Sequence, residues 1–178
     1  NFILIFILFS LNNYEFSIFL SGQILIMFCF LLFNFPSSKM FMGDGGAYLF
    51  GAITSLNVIN ISIMYPDISP LFFTTLLFYL FFEVFFSFIR KVKIKNSPLK
   101  PDKLHLHMII FRYLKDFKND KNPNPKTSIY INSFFILTII PSTIFRYDGV
   151  FCRFWFLFQI LLYVFIYYKF YNFTKKTI

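Results

Sequence analysis

A single aspartate stands among glycines in Phe41-Met42-Gly43-Asp44-Gly45-Gly46-Ala47, where a polar loop hands over to an apolar run. An idle carboxylate there would be costly, because most of the chain is apolar enough to lie in lipid. Gly43, Gly45 and Gly46 would let a phosphate approach the backbone, and a helix N-terminus favours anions, so Asp44 suits a metal-phosphate site. A second polar cluster, Pro101-Asp102-Lys103-Leu104-His105-Leu106-His107, holds the only two histidines. At a spacing of i, i+2 their rings share one face of an extended segment, whereas in a helix they lie about 200° apart. Pro98 and Pro101 favour the extended approach. With Lys100 and Lys103 close by, two imidazoles would suit a diphosphate. Each cluster also has a plainer reading. Asp44 could be a helix N-cap beside a glycine turn. The histidines could sit on an amphipathic surface helix, Leu104–Phe117, with Leu104, Met108, Phe111, Leu114 and Phe117 against lipid. Transition-metal ligation is disfavoured, since no cysteine or third histidine completes a set.

The elements that must position these loops are membrane helices. Only 14% of the residues are charged and 57% are hydrophobic, against about a quarter charged in soluble domains. The expected fold is an all-α polytopic transmembrane bundle. Runs of roughly 20 apolar residues predict spans at Phe16–Phe35, Gly46–Tyr65, Pro70–Ile89 and Phe151–Phe173. A shorter span, Ile129–Phe145, contains Pro141, which a membrane helix tolerates. Phe2–Leu11 reads as the end of a truncated helix, giving five spans and a remnant. Asn1 lies in an apolar run with no signal-peptide pattern. Residues 1–178 are therefore read as the C-terminal part of one integral-membrane domain.

Residues 90–128 form a loop with eleven Lys and Arg against Asp102, Asp116 and Asp120, nearly all of the net charge of +9. The positive-inside rule assigns it to the cytoplasm. Threading outward from it brings the Asp44 loop and the Lys175-Lys176 tail to the same face, with the Asp67 and Tyr147–Val150 turns opposite. Asp102 and Glu83 are weaker candidate carboxylates. Glu83 lies inside a span, where an acid is a functional candidate by default, although an interhelical hydrogen bond or a pairing with Arg90 explains it better. Thr54, Asn57 and Asn60 recur at threes and predict a polar stripe facing the bundle interior. Cys29 and Cys152 read as small hydrophobes.

The loops carry a resemblance. Asn34-Phe35-Pro36-Ser37-Ser38-Lys39-Met40-Phe41-Met42-Gly43-Asp44-Gly45-Gly46-Ala47 resembles the FNFPPAKxFMGDxGS signature of polyprenyl-phosphate N-acetylhexosamine-1-phosphate transferases. Pro101-Asp102-Lys103-Leu104-His105-Leu106-His107 resembles the later PDRxHxHH motif of the same family. Ala47 replaces the common serine, and Met108 the frequent third histidine. The family's Asp-Asp pair and N-x-x-N-x-x-D-G-x-D-G stretch are not in these residues. The HLH spelling after PDK looks like the GlcNAc-1-phosphate branch.

The resemblance implies transfer of a sugar-1-phosphate from a UDP-N-acetylhexosamine to undecaprenyl (polyprenyl) phosphate with release of UMP, initiating a lipid-linked envelope glycan such as a lipopolysaccharide or cell-wall polymer. It implies Mg²⁺ (Mn²⁺ as an alternative) on Asp44. His105 and His107 become contacts to the nucleotide-sugar diphosphate, with Lys100, Asp102 and Lys103 shaping their loop and Gly43, Gly45 and Gly46 the other. The implied setting is the bacterial inner membrane with a cytoplasmic active site, membrane lipids as neighbours, no nucleic-acid partner, and a homodimer as an open expectation. As a fragment without the upstream aspartates, the chain is expected to be inactive alone. The rival expectation is a non-catalytic scaffold, a degenerate relative that binds lipid phosphate through its basic loop. A transporter is the weakest reading, since only Glu83 offers a mid-membrane charge.

Overall fold

Apolar runs, punctuated by Asn, Pro and Gly, fold into helices throughout the computed structural model. It describes residues 2–36, 39–95, 97 and 103–175, and no strand occurs among them. The order is α1 (Phe2–Ser10), α2 (Tyr14–Asn34), α3 (Gly43–Met64), α4 (Pro70–Leu76), α5 (Phe78–Lys93), α6 (Leu106–Arg112) with a π-helical turn at Tyr113–Phe117, α7 (Pro123–Ile144) and α8 (Gly149–Lys175). Among the described residues, α2, α3, α7 and α8 are each long and apolar enough to cross a membrane, and α4 with α5 makes a fifth candidate. Both cysteines are free thiols. The chain divides into two compact units, Asn1–Pro66 and Asp67–Ile178, each described by itself.

In the first unit Asn13 caps α2, its side-chain oxygen accepting from the Phe16 N–H at 3.2 Å, the usual way to satisfy a first-turn donor. Its amide nitrogen donates to the Tyr65 hydroxyl at the end of α3, 3.0 Å away. Midway, the Asn57 amide of α3 donates to Gln23 of α2 at 2.6 Å. Asn57 and Ile61 are the buried positions of α3, so the stripe of polar residues expected to face inward reduces to Asn57, with Asn60 exposed. A spacing of three falls short of a full turn of 3.6 residues, so such a series winds off the packed face.

The second unit departs from the predicted single span Pro70–Ile89. The helix breaks at Leu77, and α4 and α5 meet at 72°. The Leu77 N–H is shared between the Phe73 and Thr75 carbonyls, and Thr75 Oγ1 bonds back to the Phe72 carbonyl at 2.7 Å. The contacts made on either side of the break show how the pair runs. Ahead of α4, the Ser69 N–H donates to the Arg146 carbonyl in the turn between α7 and α8, at 2.9 Å. Beyond the bend, Phe78 meets Phe156 edge to face, Glu83 meets Tyr163, and Arg90 meets Tyr167. These partners climb α8 over about 27 Å from Gly149 to Tyr167 at 1.5 Å per residue, close to the roughly 30 Å of a bilayer core. The pair is therefore one broken span and not a loop returning to its starting side.

Helix α7 runs unbroken through Pro141. A proline removes one helical donor and crowds the preceding turn, and there the Thr138 carbonyl accepts from Trp155 Nε1 at 2.8 Å and Gln159 Nε2 at 3.3 Å, both on α8. Asp148 caps α8 through the Val150 and Phe151 N–H groups at 2.9 and 3.0 Å. The core of this unit joins Phe78 of α5, Leu106, Ile109, Ile110 and Leu114 around α6, Ile131 and Phe135 of α7, and Tyr163 and Tyr167 of α8.

Candidate functional site

The Asp44 loop enters α3 through Gly43, whose φ of +69° lies in the left-handed region that a Cβ makes costly. Asp44 follows in the first turn of α3, exposed. The residue preceding the helix is Met42, which makes no side-chain cap bond. Asp44 is thus inside the helix and not its N-cap, and among the described residues its carboxylate accepts no hydrogen bond, so its oxygens are open to a ligand. Gly46 packs beneath Met42, where an added Cβ would come within 2.6 Å of the Met42 side chain, whereas a Cβ at Gly45 would meet nothing within 4 Å.

The histidine loop is built at a junction of extended chain and helix. His105 has extended backbone, φ −68° and ψ 149°, and α6 begins at Leu106. His107 therefore falls in the first helical turn, yet the two rings lie nearly parallel with centroids 5.6 Å apart. The change of conformation between them gives the shared face that an unbroken helix would deny. The expected amphipathic helix is present as α6 and its π-helical turn, and it packs on Leu106, Ile109, Ile110 and Leu114 against α7 and α8. Of the residues expected against lipid, Leu114 is therefore buried in protein, whereas Phe117 stays exposed. Lys103 is exposed just ahead of the junction. Lys100 and Asp102 lie outside the described residues.

Helix α5 locks this junction. It is strongly amphipathic, and Glu83, Ser87 and Arg90 at i, i+4 and i+7 fall on one face. Glu83 Oε1 accepts from the Leu106 N–H at 3.0 Å and lies 3.0 Å from His105 Nδ1, while its Oε2 accepts from the Tyr163 hydroxyl. Arg90 donates to the Leu104 carbonyl, to Tyr167 and, at 3.1 Å, to Ser87 Oγ. The interhelical bond expected of Glu83 is thus to Tyr163 on α8, and the acid reaches the histidine loop as well. Sequence reasoning saw that Glu83 was an unusual acid but not which loop it served. With both oxygens engaged by protein donors, Glu83 is not an open carboxylate like Asp44. Among the described residues no three His, Cys, Asp or Glu side chains gather into a metal-binding cluster.

The electrostatics of the two rings differ. Although His107 is exposed overall, partial desolvation holds its imidazole below the ordinary histidine value of 6.5, Glu83 pulls it upward, and His105 pushes it further down. At neutral pH His107 is therefore a neutral ring, a hydrogen-bonding group and not a cation. Because its folded value lies below the unfolded one, any stability it contributes is complete above pH 6.5 and is lost as the pH falls through the folded value. We expect an NMR titration of His107 in nanodiscs to give a midpoint below 6.5, and lower still in Glu83→Gln, which removes the upward pull. A midpoint above 6.5 would contradict this account of the loop.

Comparison with known proteins finds a family match over the stretch that contains the Asp44 loop. The family model of glycosyl transferase family 4 matches residues 1–62, which hold α1, α2, the loop and most of α3 but not the histidines. A curated relative from Thermotoga maritima, an undecaprenyl-phosphate alpha-N-acetylglucosaminyl 1-phosphate transferase, is 33% identical over 89 residues. That match covers 50% of this chain and 29% of the relative. No solved structure matches. Over residues 1–62, the stretch that ends in α3, the chain is thus similar to glycosyl transferase family 4.

Proposed function

We propose that the protein transfers a sugar-1-phosphate, GlcNAc-1-phosphate in the first instance, from a UDP-sugar to undecaprenyl phosphate with release of UMP, at the cytoplasmic face of a bacterial plasma membrane. The observation that carries this reading is the 33% identity to a transferase of that name over half the chain. The two loops support it with complementary chemistry. Asp44 offers an exposed carboxylate in the first turn of α3, which fits Mg²⁺, an ion that takes one or two carboxylates and fills its remaining positions with phosphate oxygens and water. Bound there, such an ion would neutralise charge on the diphosphate while the lipid phosphate attacks. The N-terminus of α3 would add its backbone dipole to anion binding. His105 and His107 would orient the nucleotide-sugar, with Lys103 contributing charge.

The test is UMP release in membranes holding the full-length protein, given UDP-GlcNAc with and without undecaprenyl phosphate. Release that requires both substrates and a divalent ion is the expected result. Retention of undecaprenyl phosphate without UMP release would favour the scaffold reading instead.

The glycines provide a sharper comparison. Gly43→Ala forces a side chain into the left-handed region and should cost roughly 1–2 kcal/mol of stability. Gly45→Ala adds a Cβ into open space within a helix, where alanine is favoured over glycine by up to about 1 kcal/mol. If a phosphate approaches the backbone at Gly45, this variant will melt no lower than wild type and still release UMP at least about tenfold more slowly, because the new methyl occupies the ligand's place. Wild-type activity in Gly45→Ala would reduce that glycine to a turn element.

A further inference from the structure

Glu83 is buried, comes from a helix outside both sequence motifs, and spends its oxygens on the histidine loop and the helix that backs it. The Leu106 N–H is the first donor of α6, and the residue preceding the helix, His105, supplies no side-chain cap. Glu83 therefore does the capping from a distance of 23 residues along the chain. The same oxygen faces His105 Nδ1. A carboxylate has only acceptors to offer, so Nδ1 must carry the proton. A neutral ring is thereby held as the Nδ1–H tautomer, and its Nε2, which has no partner among the described residues, becomes the nitrogen offered to a ligand. Tyr163 anchors the carboxylate from α8, and Arg90, two turns along α5, holds the Leu104 carbonyl on the other side of His105. Backbone and ring are thus both held from α5.

We infer that Glu83 is a positioning residue for sugar-1-phosphate transfer, orienting His105 through Nδ1 so that Nε2 faces the nucleotide-sugar. The inference rests on the transferase reading above. It assigns Glu83 no contact with substrate and no place in a metal site.

The test combines ¹⁵N NMR of the histidines with UMP-release kinetics on the full-length protein. Wild type should show His105 protonated at Nδ1. Glu83→Gln retains an oxygen for Nδ1–H and should preserve both the tautomer and most of the activity. Glu83→Ala should shift His105 toward the Nε2–H tautomer and lower kcat/KM about 10- to 100-fold, the range seen when the partner that orients a ligating histidine is lost. Rescue by glutamine together with the tautomer is what a merely structural acid would not produce. An Nε2–H tautomer in wild-type protein overturns the inference even if Glu83→Ala fails to fold. So does a Glu83→Ala protein that keeps wild-type kcat/KM. Absence of UMP release from wild type, with His105 still protonated at Nδ1, would instead defeat the transferase reading while leaving the positioning geometry standing.

Discussion

Asp44→Asn in the full-length protein should abolish measurable UMP release while leaving the melting temperature within a degree or two of wild type. The two halves of that expectation come from different magnitudes. As a purely structural group, Asp44 is exposed, accepts no hydrogen bond among the described residues, and interacts only with the positive end of α3. Such an interaction contributes roughly 0.3–1 kcal/mol, and asparagine forfeits little beyond it. As a group that holds charge against a reacting diphosphate, its loss should cost at least about 10²–10³ in rate, the scale of removing one preorganised electrostatic partner. The effects differ so much that a single variant separates them. An inactive protein that folds normally would support the metal role, and residual activity should then require more Mg²⁺ for half-saturation. A fully active Asp44→Asn would remove Asp44 from the reaction and leave a carboxylate that merely decorates a helix start.

Much of the scaffold was legible because hydropathy and length suffice for it. The bounds of α2, α3 and α8 fall within three residues of the predicted spans. What hydropathy could not supply is direction. Around α6 nearly every position from Leu104 to Phe117 that is not basic is apolar, and lipid is as apolar as a neighbouring helix. The pattern therefore cannot say which side packs, and the buried face turned out to be Leu106, Ile109, Ile110 and Leu114. The break at Leu77 is similar. No proline or glycine marks Thr74 to Phe78, and the break shows only in the hydrogen bonds, the Leu77 N–H being shared between the Phe73 and Thr75 carbonyls. The histidines' shared face was foreseen for an extended segment and is reached by a junction, because Leu106 and not His107 is the first helical residue. Glu83 was conspicuous as an acid in a span. Its partners lie 22, 23 and 80 residues away, a separation at which no local pattern operates.

That network changes how the histidines should be removed. His107 is exposed, and His107→Ala should fold as wild type does. His105→Ala would withdraw one of the donors around buried Glu83, at a cost of about 1–3 kcal/mol for an under-satisfied buried group. Lost activity in that variant could then reflect lost protein. His105→Asn is cleaner: its amide nitrogen can reach the position of Nδ1 and donate to Glu83, while nothing replaces Nε2. The double variant His105→Asn, His107→Ala should therefore reach the membrane at wild-type levels and lose at least about 10²-fold in kcat/KM. The near-parallel rings, 5.6 Å apart, add a quantitative condition. Side chains that grip the same ligand are coupled, so the double loss should be smaller than the product of the single losses. Multiplying effects would mean that the rings serve separate groups, and unchanged kinetics would exclude both from the diphosphate. Sub-multiplicative loss with normal expression is the outcome that joins them into one site.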